Sequence, residues 1–469
     1  MPNSACGFEN SLVDSFLCVS AALWWGDLGA KRVGTHLKSG TESFLRAMFY
    51  AGVASAFYFG LFHIPTPSME PMLLGRAEPA HMTDCAFKAY HVSESGDHVL
   101  ATKFISKIDR FDIVVFRYPL NISMRVVKRV IGLPGDRLII NQGELFVNEG
   151  SGYRIVRKPF DLQERLWIRL TPEYDGAASY LKDWSLEGEH QFDGREIVLR
   201  PAGETKVQFN RGIYDGKFND RRVSDVRLGF DLNWKGAGDF SASIVNWFGK
   251  FYFQIQPDRT ARLFANGKKI DFAPDVFKEP RAYRIELLHV DGRFLVQVDG
   301  KIAGSVEHVQ TYSDLHQEIF SGYQVGFESR KLDARIRNLR IDRDLHFKRR
   351  EFDTNLVEGE ERVVPKNAYF LLGDNAQLSK DSRSWRKIEI HHKDGRVIVC
   401  EKEAVEHRSG DPDETIVKAD EFGDSFVLLT EDIVKLSDPM PFPFVEERYI
   451  VGKVWLTHWP PGRWFRSVR

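Results

Sequence analysis

Cysteine is scarce in this chain of 469 residues, with Cys6, Cys18, Cys85 and Cys400 the four present. They are too few and too scattered for a disulfide framework or a four-cysteine zinc site, and they point to no redox compartment. A surplus of one charge is also missing. The 65 Lys and Arg residues stand against 66 Asp and Glu, a net charge of −1, which removes the broad positive field expected of a nucleic-acid binder. Internal repeats and low-complexity tracts are absent. With 43% hydrophobic and 28% charged residues, neither wholesale disorder nor a polytopic membrane protein fits. The length allows about three domains, enough chain to bury a sizeable core.

Long uncharged apolar runs are lacking too, with one exception. Residues 47–64 (AMFYAGVASAFYFGLFHI) hold no Asp, Glu, Lys or Arg, about the shortest length that crosses a hydrocarbon core as a helix. A buried helix of a globular domain seldom continues for about five turns without a charge, so residues 44–64 read as a single transmembrane anchor after a cytoplasmic segment, 1–43. Lys31, Arg32, Lys38 and Arg46 precede the run. The positive-inside rule then puts the N-terminus in the cytoplasm and everything after residue 64 on the outer side. A cleaved signal peptide fits worse, because a long stretch precedes the run and no A-x-A site follows it. Residues 12–28 also lean apolar, but Asp14 and Asp27 interrupt them. That favours a soluble or interfacial helix; a second span there would invert the topology.

Beyond the anchor the signals are β. DIVVF at 112–116 and MRVVKRVI at 124–131 are β-branched runs that end at Gly132-Leu133-Pro134-Gly135, and ELFVNEG at 144–150 follows as a short strand. From about 151 to 350 the chain turns to polar-aromatic strands, with tight hairpins expected at Asn266-Gly267, Asp291-Gly292 and Asp299-Gly300. Strands at spacings of roughly 8–12 residues argue for an inserted all-β sandwich, whose pattern resembles concanavalin-like and laminin-G-like jelly rolls. The segment 362–372 (RVVPKNAYFLL) then leads to Gly373-Asp374-Asn375. A second, smaller insertion is expected at 386–447, and 449–459 (YIVGKVWLTHW) closes as a strand.

Two residues suggest chemistry. Ser68 lies four residues past the apolar run, among Pro65, Pro67 and Pro71. Each proline fixes φ, so the serine sits on a stiff segment within roughly 15 Å of the bilayer boundary. Alone, it reads as an ordinary proline-rich linker. With a strand period of two, Met124, Val126, Lys128 and Val130 share one face, leaving Lys128 the single charge on it, while Arg125 and Arg129 face the other way. Such a lysine either snorkels to water or is desolvated, and desolvation lowers its pKa until it can act as a base. A desolvated lysine can activate a serine without histidine. None of the 14 histidines falls in a nucleophile-elbow or HExxH context. His81 with Cys85, and His391 and His392 with Cys400, each lack a full set of metal ligands.

Taken together, these stretches resemble the bacterial type I signal peptidases. The nucleophile box of that family is similar to residues 65–71 (PTPSMEP) followed by 73–75 (LLG), its second box to 110–116 (RFDIVVF), and its lysine box to 127–136 (VKRVIGLPGD). Its last box is similar to Gly373-Asp374-Asn375, then 379–383 (SKDSR), with Val451-Gly452-Lys453 on the closing strand. The match covers roughly 44–75, 97–150, 360–385 and 448–458. Pro67 stands where the family usually has glycine and Met72 where it usually has threonine. Ala376-Gln377-Leu378 replaces its common polar residues, 76–96 is extra chain, and minimal enzymes lack both insertions. None of these differences removes a catalytic group.

The resemblance implies that Ser68 attacks the scissile carbonyl and that neutral Lys128 is general base and then general acid. Thr66, with its hydroxyl, and the Ser68 backbone N–H would form the oxyanion hole. Ser379 would orient Lys128 by a hydrogen bond, and Asp374, Asp381 and Arg383 would brace the site. Such a site should bring Ser68 Oγ and Lys128 Nζ to within roughly 2.6–3.2 Å. The expected protein is mainly β: a transmembrane helix, then a β catalytic domain (65–150 and 351–469) interrupted by a jelly-roll sandwich at 151–350. It is an endopeptidase of the cytoplasmic membrane that removes signal peptides from secretory preproteins, with membrane lipid as its setting and no metal, cofactor or nucleic acid. The weighed alternatives are a catalytically silent, membrane-tethered binding module acting through the sandwich, and a self-cleaving peptidase of the repressor-processing type. Trp234, Trp247 and Phe248 offer no evident sugar-stacking site, so a spacer or protein-contact role for the sandwich is favoured over glycan binding. At the C-terminus, Trp455, Trp459 and Trp464 beside Arg463, Arg466 and Arg469 suit a headgroup region, with burial in the sheet favoured for Trp455.

Overall fold

The computed structural model describes residues 45–50, 52–53, 58–76, 96–171, 181, 183–192, 196–201, 203–210, 213, 223–273, 275–315, 323–347, 349–350, 352–408, 411–463 and 466–467. The expected cytoplasmic segment 1–43, the stretch 12–28, His81 and Cys85 lie outside them, as does most of the extra chain at 76–96.

Ahead of residue 59 the described residues are helical, with Leu45, Met48, Phe49 and Tyr50 exposed. Among the described residues no helix is long and apolar enough to cross a membrane, and the middle of the expected anchor, at 51 and 54–57, lies outside them. At its far end the expectation of one continuous helix over 47–64 is corrected, because Phe59–His63 is a β-strand. It pairs antiparallel with His98–Thr102. Phe62 and the following Ile64 turn into the core while Leu61 is exposed. An uncharged apolar run suits a helix or a buried strand equally, and here pairing with a distant strand decides.

That strand begins an eight-stranded antiparallel sheet, ordered Phe59–His63, His98–Thr102, Ile450–Trp459, Ile113–Tyr118, Asn121–Gly132, Ala368–Leu372 and Phe444–Glu446, with Arg466–Ser467 paired to Ile450–Trp459. Both faces are covered, which explains why residues 113–116 (IVVF) are apolar throughout. Ile113 and Val115 enter one core cluster while Val114 and Phe116 enter another on the opposite face. A four-stranded sheet follows, from Arg137–Asn141, Glu144–Asn148, Tyr153–Ile155 and Glu361–Val363.

The sandwich is present and narrower than 151–350. Tyr153–Ile155 pairs with Glu144–Asn148. The helix Phe160–Leu166 buries Leu162 and Leu166 in the cluster that holds Met69 and Ile113, and Leu345 and Phe347 return to it. Between these points, two sheets of eight and seven strands share one core containing Leu228, Phe230, Phe251, Phe253, Phe294 and Phe327. The three expected hairpins form. Asn266-Gly267, Asp291-Gly292 and Asp299-Gly300 all have positive φ at both residues, the two-residue turn that matches strand twist, and each joins a pair of neighbouring antiparallel strands.

A buried lysine fixes the sandwich to the core of the main sheet. Lys158 is ion-paired with Asp291 at the hairpin and with Asp344 at 2.8 Å. Burial and the neighbouring Asp225 and Asp291 push the Glu144 carboxyl well above the usual carboxylate range. The later insertion is two small sheets over 386–441 with a core of Ile388, Ile390, Cys400, Val417 and Leu428. Phe444–Glu446 already belongs to the main sheet.

Candidate active site

After the first strand, Pro65 and Pro67 stiffen the chain into a 3-10 turn, Pro67–Met69, that carries Ser68. Ile64 before the serine and Met69, Met72 and Leu73 after it are buried in the core, so apolar side chains on both sides of the serine pin it in place. Gly75 is required sterically, because a Cβ there would lie 2.4 Å from the Thr66 carbonyl carbon. The loop is closed from the far end of the chain. Asp97 accepts hydrogen bonds from the Leu74 N–H at 2.8 Å and from Arg463 Nη2 at 2.9 Å, and Arg463 Nη2 also donates to the Met72 carbonyl at 2.8 Å.

The headgroup placement of Arg463 is therefore corrected: it is buried, because a carboxylate and a carbonyl inside the fold draw its guanidinium in. Trp455 is corrected in the other direction, being 54% exposed and stacked on Phe59 with centroids 6.2 Å apart. The side chains of residues 464–469 lie outside the described residues. Truncating Arg463 to alanine is expected to cost about 1–3 kcal/mol by leaving Asp97 and the Met72 carbonyl under-bonded. Thermal unfolding of the solubilised protein checks this, and an unchanged transition would contradict the bracing role.

Lys128 lies on Asn121–Gly132 and is 3% exposed. Its Nζ donates to Ser68 Oγ at 2.8 Å. Thr66 Oγ1 is 3.2 Å from the same oxygen. The strand carries the lysine inward, and the loop after the first strand brings the serine to it. Burial pulls the Lys128 pKa down to about 8; Asp381 and Asp374 work against that shift, and Arg383 and Arg350 work with it.

The Gly373-Asp374-Asn375 turn packs behind this pair. The Asn375 N–H donates to the Ser68 carbonyl at 3.1 Å. Asp374 takes both forks of Arg129, Nε at 2.6 Å and Nη2 at 2.5 Å, with neither side chain exposed. The alternation rule rightly sent Arg129 to the face away from Lys128, but that face is buried too, and only an ion pair makes burial of the guanidinium tolerable. Asp381 likewise binds Arg383 through Nε at 2.9 Å and Nη2 at 2.6 Å, and accepts the Gly373 N–H at 3.0 Å. Burial alone would raise the Asp381 pKa, yet Arg383, Arg350 and these hydrogen bonds hold it well below the usual carboxylate range.

The expected hydrogen bond from Ser379 to Lys128 is a correction. Among the described residues the Ser379 hydroxyl has no hydrogen-bond partner, and its Oγ occupies space where a Cβ on Gly373 would be, 2.1 Å away. Its main chain is fixed from behind, since Arg350 Nη1 donates to the Ser379 carbonyl. Arg350, Asp97 and the fully buried Glu70, whose Oε1 accepts the Gly75 N–H at 3.2 Å, were not singled out by sequence reasoning, and Arg129 and Arg463 were given no part in the site. Each is a charged residue in a polar-looking stretch, and its partner lies elsewhere in the chain or in an unremarkable local loop.

The protein-family profile described as signal peptidase, peptidase S26, matches residues 37–165 and 317–401. A signal peptidase I from Rickettsia typhi is 44% identical over 186 residues, covering 36% of this chain and 69% of that protein. One from Pseudomonas aeruginosa is 30% identical over 123 residues, covering 23% of this chain. The chain spans 36% of the length of the Pseudomonas relative and 17% of signal peptidase I from Rickettsia rickettsii. Among solved structures, the Emp46p carbohydrate recognition domain overlaps 36% of this chain and 94% of its own, with 12% identity and a TM-score of 0.28. A galectin-like protein of unknown function from Bacillus subtilis overlaps 38% and 98%, with 11% identity and a TM-score of 0.27. With its paired matches on either side of an inserted β-sandwich, this chain belongs to the signal peptidase family, peptidase S26.

Proposed function

We propose that this protein is an endopeptidase that removes signal peptides from secretory preproteins, with Ser68 as nucleophile and Lys128 as its base. The observation that carries this is the 2.8 Å hydrogen bond between Lys128 Nζ and Ser68 Oγ, both of them buried. A lysine whose pKa is near 8 is partly neutral at physiological pH. Its lone pair takes the Ser68 proton as Oγ attacks the scissile carbonyl, forming the C–O bond and leaving an ammonium on Lys128. The negative charge on the carbonyl oxygen is met by the Ser68 N–H and the Thr66 hydroxyl. As the C–N bond breaks, Lys128 returns its proton to the leaving amine, giving an acyl ester on Ser68. The neutral lysine then takes a proton from water as the water oxygen attacks the ester; when the ester C–O bond breaks, the ammonium returns that proton to Ser68 Oγ, which releases the signal peptide with a new carboxyl end and restores Ser68 and neutral Lys128.

The arginine–carboxylate pairs act on geometry. Arg129 with Asp374 and Arg383 with Asp381 hold the turn behind the serine, and their buried charges fix the field at Lys128 without entering the bond changes. The reading keeps 1–43 in the cytoplasm, the anchor from residue 44 in the cytoplasmic membrane and the catalytic domain on its outer side, in line with Lys31, Arg32, Lys38 and Arg46 ahead of the apolar run. Substrates carry small residues at the first and third positions before the cut. The test is processing of purified preproteins by the detergent-solubilised protein and by Ser68→Ala. Cleavage by the parent after a small-x-small sequence, and none by the variant, is expected. No cleavage of several preproteins by the parent would overturn the reading.

A further inference from the structure

The chain that returns from the sandwich does more than reconnect two halves of the peptidase. Its last sandwich strand, Asp333–Arg343, leads through buried Leu345 and Phe347 to Arg350, Asp353 and Asn355, all of which are buried. Arg350 forks onto Asp353, with Nη2 to Oδ1 at 2.7 Å and Nε to Oδ2 at 3.0 Å, and its own N–H donates to the same carboxylate at 2.8 Å. The free edge of this guanidinium reaches the Ser379 carbonyl through Nη1. Two residues further on, Asn355 Nδ2 donates to the carbonyls of Ser382 at 3.1 Å and Trp385 at 2.7 Å, and the Asn355 N–H to that of Arg383 at 2.8 Å. Four carbonyls of the loop that holds Ser379, Asp381 and Arg383 are thus tied to one short return segment.

We propose that Arg350 is a positioning residue of the Ser68–Lys128 site: delivered by the return from the sandwich, it clamps the 379–383 loop against the catalytic pair. This rests on the endopeptidase reading above. The chemistry favours arginine, because one planar group must satisfy a carboxylate on one edge and a main-chain carbonyl on the other, which a lysine cannot do with the same geometry. The charges facing Lys128 are Asp381, Arg383, Asp374 and Arg350. The positive charge of Arg350 favours neutral Lys128, so losing it favours the ammonium and moves the onset of activity to higher pH. The sandwich is thereby coupled mechanically to the lysine: excising it while retaining activity requires keeping 344–355 intact.

The experiment is the pH dependence of kcat/KM for preprotein cleavage by the parent, Arg350→Gln, Arg350→Lys, and the double variant Arg350→Gln/Asp353→Asn, which removes the clamp without changing net charge. In Arg350→Gln, kcat is expected to fall on the order of tenfold to a hundredfold from misplacement, with KM little changed, and the onset of activity to move upward from about pH 8. Arg350→Lys is expected to recover part of the rate and to keep the onset at the parental pH. The double variant is expected to lose rate with a smaller shift, and it keeps the test open if Arg350→Gln leaves buried Asp353 too costly for folding. A folded double variant with parental kcat, or a folded Arg350→Gln with an unmoved onset, would overturn the proposal. Titrating 13Cε-labelled lysines by NMR, with the Lys128 signal assigned by its loss in Lys128→Ala, reads the same shift without turnover. If the parent cleaves nothing, the functional reading fails while the Arg350 shift is still measured; a Lys128 pKa equal in parent and Arg350→Gln would overturn the proposal in that case as well.

Discussion

Lys128→Ala is expected to lower kcat/KM for preprotein cleavage by about a hundredfold to ten-thousandfold, the usual range for a lost general base. In the proposed mechanism the lysine supplies proton transfer in both halves of the reaction, and among the described residues no other side chain is bonded to Ser68 Oγ except Thr66, whose hydroxyl is not a base at neutral pH. Because serine and lysine act as one unit, Ser68→Ala/Lys128→Ala should be little worse than either single variant, a non-additivity that independent roles would not show. The parental pH profile supplies the sign. Burial lowers the lysine from its ordinary 10.5 to about 8, so the ammonium dominates below pH 8 and activity rises as pH increases through it. An onset near 10.5 would mean that Lys128 is solvated in the working enzyme.

The same shift has a stability consequence of opposite sense to a salt bridge. Folding disfavours the ammonium, so the folded state is penalised most below pH 8, and the penalty fades as pH rises from about 8 toward 10.5. Lys128→Met should therefore raise the thermal transition at pH 7 while destroying activity, the trade expected where a strained catalytic group is exchanged for an apolar one of similar length.

Asp374→Ala is expected to destabilise the protein by about 3–5 kcal/mol, because it leaves the Arg129 guanidinium buried without its carboxylate. Neither side chain is exposed, and the bidentate contact at 2.5–2.6 Å is Arg129's ion pair, supplemented by one hydrogen bond to the Phe111 carbonyl at 2.7 Å. Replacing both partners by apolar residues, as in Arg129→Met/Asp374→Leu, should cost much less than either single change, since the cost lies in the orphaned charge rather than in the lost pair. Urea unfolding of the parent, Arg129→Met, Asp374→Leu and the double variant, with unchanged m values, would measure the coupling. If Asp374→Ala were as stable as the parent, water must reach Arg129 and the site would not be closed from behind.

The sequence alone carried the order of most elements and, through motifs that resemble a known family, marked Ser68 and Lys128. Prolines flanking Ser68, the apolar neighbours of Lys128 and the Gly-Asp-Asn turn are local patterns, and local patterns report what a residue is and which way its backbone runs. The three Asn-Gly and Asp-Gly hairpins were legible for the same reason, since positive φ is a property of the residues themselves. Tertiary structure decided the rest. Whether 59–63 was helix or strand depended on pairing with His98–Thr102. Whether Arg463 faced lipid or protein depended on Asp97, 366 residues away, and the partner of Asp374 was 245 residues away. A buried charge is tolerable only beside its counter-charge, and no periodicity in the chain announces which distant residue that will be. The pair Ser68 and Lys128 was therefore marked by the motifs around it. The clamp, the fork and the brace that hold it existed only once folding had brought distant segments together.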